Sequence, residues 1–192
     1  VEGIHPRWLV MENVTGITSI ADGSIVREIF GGMERLGYRV EMKVLRAEEY
    51  GVPQERRRVF FIATRTDAQI RFPEPTHGED RLPLVTICDL PPLENGAKYA
   101  PTKYAAAPQN SFQALLRGDC TKLHNHSAGR LSLINEQRMR HIPAGGSWRD
   151  IPLDLLPAGM LKAKRSDHTK RYGRPRKTDQ ACTILTKCDV HW

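Results

Sequence analysis

The period of the apolar residues changes three times between Trp8 and Ala63, and that succession constrains the fold more than any other feature of the chain. Trp8-Leu9-Val10-Met11 is a continuous apolar run, broken at its C-terminal end by Glu12-Asn13. Such a run fits a strand buried on both faces, as in a parallel sheet. After a turn-rich stretch from Thr15 to Gly23, Ile25, Ile29, Met33 and Leu36 recur at helical spacing with charged residues between them. The Gly31-Gly32 pair weakens that helix and implies close packing there, while Gly37 suits its C-terminal stop. Tyr38, Val40, Met42 and Val44 then alternate with Arg39, Glu41 and Lys43, the spacing of a strand with one polar face. A loop from Ala47 to Arg58 leads into Val59-Phe60-Phe61-Ile62-Ala63, a further strand. Strand, helix, strand, loop, strand is the order of an α/β sheet with a hairpin at its edge.

The pattern changes near Arg71. Prolines punctuate the chain from Pro73 to Pro157, and apart from a short helix expected near Glu136 to His141 no long period survives. This implies a second, loop-rich and partly β module. Its later part is basic, with Lys162, Lys164, Arg165, Lys170, Arg171, Arg174, Arg176 and Lys177. Over all 192 residues, 29 Lys and Arg face 22 Asp and Glu, for a formal net charge of +7. That surplus suits a polyanionic partner such as nucleic acid, although simple solubility is the alternative. The hydrophobic share of 40% excludes a disordered tail.

Four cysteines, Cys88, Cys120, Cys182 and Cys188, are too sparse for a disulfide framework and read as reduced thiols of a cytoplasmic protein. Cys182, Cys188 and His191 fit no common zinc spacing, so no metal is expected. His124-Asn125-His126 spells a nuclease-like triplet but lacks an associated ligand cluster and reads as a polar loop. No apolar run is long enough to span a membrane.

Two places carry candidate chemistry. Glu12 stands at the C-terminal end of an apolar strand, where open α/β sheets place ligands. The bland alternative is a salt-bridged or capping carboxylate beside the Thr15 loop. In Gly51-Val52-Pro53-Gln54-Glu55-Arg56-Arg57-Arg58, an extended backbone puts Gln54, Arg56 and Arg58 on one face and Arg57 on the other. A fixed guanidinium fork there suits a phosphate or a base carbonyl; the alternative is a solvated basic loop.

Those residues carry a resemblance. Met11-Glu12-Asn13-Val14 is similar to the ENV motif of the DNA cytosine-5 methyltransferases, and Ala47 to Arg58 resembles their QxRxR motif with its lead-in. Arg174-Pro175, Asp179 and Thr183-Ile184 look like the family's RPxxD-TI element, and His141 to Pro152 resembles a stretch of many bacterial members. The resemblance covers nearly the whole chain, most loosely between Phe72 and Leu123. It implies an α/β fold, with part of a doubly wound, S-adenosylmethionine-dependent sheet beside a smaller target-recognition domain. The boundaries expected are 1–70 for the partial catalytic domain, 71–172 for target recognition and 173–192 for a segment returning to the first.

The family flips a cytosine out of duplex DNA, adds a cysteine thiolate to C6 and methylates C5 with S-adenosyl-L-methionine. The resemblance implies that Glu12 holds the ring N3 edge, that Asn13 shapes the strand end and that Arg58 contacts O2. Arg56 is implied to brace the site or the DNA backbone, and Gln54 to orient the loop and touch DNA. Lys162, Lys164, Arg165 and Arg174 are expected to bind DNA. The family's Pro-Cys nucleophile and glycine-rich cofactor loop have no counterpart here, since none of the four cysteines follows a proline. The chain alone is therefore expected to bind cofactor poorly and to need an upstream half, covalent or separate, in a bacterial cytoplasm. The alternative is a non-catalytic, methyltransferase-like DNA-binding or regulatory protein.

Overall fold

Val59, Phe61 and Ala63 are sealed from solvent, and the first part of the fold is organised around these alternate residues of one strand. The computed structural model describes residues 1–98, 102–164 and 172–183. It divides into two units, Val1–Arg81 and Leu82–Trp192, a division further along than the change of composition near Arg71.

The first unit holds β1 (Trp8–Val14), helix α1 (Ser24–Arg35), β2 (Arg39–Arg46), the two-residue β3 (Gln54–Glu55) and β4 (Arg57–Thr64). The sheet order is β1-β4-β2, with both outer strands antiparallel to β4. β1 and β2 therefore run parallel to one another, and α1 makes the crossover between them. The helix lays Ile25, Val26, Ile29 and Phe30 on Met11, Val40, Val59 and Phe61, joined by Ile17. Phe30 meets Phe61 edge-on, with ring centroids 6.1 Å apart. Gly37 ends the helix at φ +79°, which lets its amide reach Glu34 O at 2.9 Å and the Tyr38 amide reach Met33 O at 3.0 Å. Tyr38 is buried and donates its hydroxyl to Pro6 O at 2.6 Å.

Two expectations change. β1 is not buried on both faces: its residues alternate, with Trp8, Val10, Glu12 and Val14 exposed, because α1 covers only the Met11 side of the sheet. The Gly31-Gly32 pair marks no tight approach, since added Cβ atoms would meet only the flexible Arg35 guanidinium, at 3.3 and 3.9 Å. The fold is mixed α/β, and among the described residues one face of this sheet carries a helix.

The second unit is loop-rich, with α2 (Ser111–Arg117), α3 (Leu133–Arg140) and a two-rung antiparallel ladder of β5 (Thr102–Lys103) and β6 (Lys122–Leu123). Short local elements leave few backbone partners, so polar side chains fill the role. Arg117 is buried, pairs with Asp89 Oδ2 at 2.7 Å, donates to Ala106 O at 2.6 Å and lies 4.0 Å from the Tyr104 ring centroid. Buried Gln113 donates to Thr86 O at 2.9 Å and accepts from the Gln109 amide at 2.7 Å. A separate apolar core gathers Ile142, Trp148, Ile151, Met160 and Tyr172.

Candidate active site at the end of the sheet

Opposing residues of an antiparallel ladder share a face, so the pairings Glu12↔Phe60 and Val14↔Arg58 put Glu12 and Arg58 on the side away from α1. The two are diagonal neighbours within reach of long side chains. Arg58 Nε meets Glu12 Oε1 at 2.7 Å, and Arg56 Nη2 approaches the same oxygen at 3.9 Å. Arg57 sits on the other face of β4, as the alternation of the block predicts. Arg58 Nη1 donates back to Arg57 O at 2.8 Å. Among the described residues, Glu12 Oε2 and Arg58 Nη2 make no hydrogen bond or ion pair.

These groups open into a cavity of about 220 Å³ lined by Glu12, Leu45, Ala47, Tyr50, Arg56, Arg58, Phe60 and Pro73. Its walls are apolar and aromatic, and one end is charged. Sites for drug-sized ligands run from about 300 Å³ upward, so this one suits a single small ring. An ion pair as exposed as Glu12–Arg58 contributes only about 0–1 kcal/mol, so stability does not explain three charges converging here. Low stabilisation also means that the pair yields readily to a ligand.

The cavity rim is held by the turn before the arginines. Tyr50 donates its hydroxyl to Pro73 O at 2.9 Å, and burial, followed by Glu49 and Glu74, pushes its phenol above the ordinary range. The Tyr50 hydroxyl therefore stays a donor at neutral pH. The amides of Thr76 and His77 both donate to Glu49 O at 2.9 Å. Gly51 lies at φ +80° beneath the His77 ring, and a Cβ there would come within 2.7 Å of it.

Of the residues expected at the site, the fold brings Glu12, Arg56 and Arg58 together. Asn13 lies on the opposite face of β1, half-buried, and its Oδ1 accepts from the Val14 amide at 2.8 Å, a local bond at the strand end. Gln54 is half-buried in β3 and does not line the cavity. In the second unit Lys162 and Lys164 are exposed, while Arg165 lies outside the described residues. Arg174 is exposed but commits Nη1 to Ile142 O at 3.1 Å. Ile184 of the last motif, with Cys188 and His191, also lies outside the described residues. His126 anchors its loop through Nε2 to Pro91 O at 2.8 Å. Among the described residues no three His, Cys, Asp or Glu side chains gather to hold a metal, and no helix is long and apolar enough to cross a membrane.

Sequence reasoning missed Leu45, Tyr50, Phe60 and Pro73 as cavity walls, and the buried Glu48 that accepts from the Arg56 amide. Leu45 and Phe60 were legible as the outward members of alternating strands. Tyr50 and Pro73 meet only through loop closure, which no spacing encodes.

Comparison with known proteins identifies the family. The family model for C-5 cytosine-specific DNA methylase matches residues 1–187. The Type II methyltransferase M.AgeI of Thalassovita gelatinovora is 31% identical over 83% of this chain and 43% of its own length. M1.HphI of Haemophilus parahaemolyticus, also a Type II methyltransferase, is 34% identical over 80% of this chain and 35% of its own. The chain thus spans less than half the length of these relatives. The crystal structure of a prophage-encoded DNA modification methyltransferase of E. coli superposes with a TM-score of 0.60 over 93% of this chain and 52% of its own, at 17% identity. That likeness speaks to the fold alone.

Proposed function

The chain belongs to the C-5 cytosine-specific DNA methylase family, and from that premise we propose that it forms the base-holding and DNA-reading part of a DNA cytosine-5 methyltransferase. The observation that carries this reading is the free pair of atoms at the cavity. Glu12 Oε2 is an acceptor and Arg58 Nη2 a donor, on two ion-paired residues that line one largely apolar slot. The pair is complementary to the cytosine edge, where the exocyclic amine and a protonated N3 donate and O2 accepts. A ring inside a duplex cannot present that edge to a protein slot, so the base enters flipped. Phe60 and Tyr50 supply flat surfaces along its path, and Arg56 adds positive charge that favours the electron-rich ring as a nucleophile adds to it.

The methyl donor, S-adenosylmethionine, does not fit these residues. A cavity of about 220 Å³ is too small for a nucleoside-bearing cofactor, and Glu12, Arg56 and Arg58 already fill its polar end. We assign the cofactor, the nucleophilic cysteine and the remaining strands of a doubly wound sheet to an upstream half, covalent or separate. In this arrangement residues 1–70 belong to the catalytic domain and 71–172 read the sequence. Residues 173–192 return to the catalytic domain. Lys162, Lys164, Arg165, Arg174 and Gln54 contact the DNA. Asn13 acts at the strand end, not in the slot. The Type II relatives favour a bacterial restriction–modification setting, with chromosomal DNA in the cytoplasm as substrate.

The test is transfer of labelled methyl groups to mixed-sequence duplex DNA, by this chain alone and with the matching upstream half. Activity in the mixture and not in either part supports the reading. A dead mixture, with the upstream half folded and binding cofactor, would instead make the chain a regulatory DNA-binding relative.

A further inference from the structure

Glu48 is the buried acid that the site described above does not use. It is 2% exposed, in the turn between β2 and β4. A carboxylate is expensive to bury and belongs there only where it makes a bond that matters. Here it does: the β2–β4 ladder ends at Arg46↔Arg57, and beyond that rung the Arg56 amide donates to a side chain. Glu48 Oε2 accepts it at 3.1 Å, while the Ala47 amide donates to Arg56 O at 2.9 Å. A side chain stands in for the next rung, and Arg56 is held through both of its backbone groups. Because β4 alternates, fixing the backbone at Arg56 sets the face from which Arg56 and, two residues on, Arg58 reach Glu12.

We propose that Glu48 is a positioning residue for the base slot, acting through the Arg56 amide to hold both arginines against Glu12. This inference rests on the base-holding reading. It requires an acceptor at the full reach of a glutamate and does not require its charge, which separates it from an electrostatic or purely structural role.

The experiment uses the complemented enzyme carrying Glu48→Ala, Glu48→Gln or Glu48→Asp. Gln keeps the reach and loses the charge, whereas Asp keeps the charge and withdraws the acceptor by one methylene. Misplacing a reacting group by about 1 Å costs about 100-fold, so Glu48→Ala and Glu48→Asp should lower kcat by about 10- to 100-fold, with duplex Kd within about twofold of wild type. Glu48→Gln should stay within about threefold in kcat, as expected when only the hydrogen bond is needed. Hydrogen exchange at the Arg56 amide should rise in Ala and Asp and not in Gln. Wild-type kcat in Glu48→Ala, or an active Asp variant beside a dead Gln variant, would overturn the assignment. If Glu48→Ala does not fold, the Gln and Asp pair still decides. A wild-type mixture without activity condemns the base-holding reading itself, a failure distinct from either of these.

Discussion

One carboxylate oxygen at Glu12 serves both arginines, which leaves the other oxygen for a ligand. Replacing Glu12 with Gln turns one of those two oxygens into a donor, so the side chain can no longer accept from both Arg58 and the base. Arg58→Ala removes the donor and the partner of Glu12 together. Each variant should lower kcat of the complemented enzyme by about 100-fold or more, the scale on which a single aligned transition-state partner acts. Duplex binding, read by titration, should stay near wild type, because neither side chain is needed to bind phosphates. Normal turnover in either variant would remove that residue from the site. At this scale much was legible: the apolar run ending in Glu12 and the one-face spacing of Arg56 and Arg58 follow from strand alternation. Glu48 was not legible. It sits in the same stretch as Glu49, which is half-exposed and paired with Arg46 and Arg81, and only the closed turn shows which acid is buried.

Elements place those residues, and the turn from Ala47 to Gly51 does the most. Gly51 needs its left-handed backbone, and the His77 ring fills the space a side chain would take. Gly51→Ala should destabilise the first unit by about 1–3 kcal/mol from backbone strain alone, with a further cost for displacing His77. Urea unfolding monitored by far-UV circular dichroism gives the value, and an unchanged midpoint would show that the turn relaxes freely. Periodicity exposed α1 and its glycine stop, because each is a local property, but the apolar face expected of β2 is covered only in part, with Met42 and Val44 38% and 43% exposed. It misjudged β1, whose unbroken apolar run promised two covered faces. Which faces of a strand are covered depends on what lies across the sheet, and that is not local. In the second unit the polar centre at Arg117 escaped detection for the same reason: Asp89, Tyr104 and Ala106 reach it from separate loops.

For the whole molecule, charge and surface make separate demands. The net charge of +7 and the exposed Lys162 and Lys164 suit the proposed DNA contact, in which every phosphate no longer neutralised makes the slope of log K against log salt shallower by about 0.9. Neutralising Lys162, Lys164 and Arg165 together should therefore flatten the slope as well as weaken binding, and an unchanged slope would show that these side chains do not meet the DNA backbone. The sheet makes the other demand. On the side away from α1, Trp8, Val10 and Val14 are 43%, 65% and 53% exposed, beside the half-buried Phe60 and Ile62. Exposed apolar side chains in this number, on both sides of Glu12, suit a surface that another body covers, and β1 adds an unpaired edge among the described residues. Expressed without the upstream half proposed above, the chain should therefore self-associate at micromolar concentration. The double variant Trp8→Lys, Val10→Glu should return it to a monomer in light scattering, with its circular dichroism unchanged, and the same variant should weaken complementation by the upstream half. A wild-type chain that stays monomeric and unfolds sharply would mean that this face tolerates water, and the covering role assigned to the upstream half would fall with it.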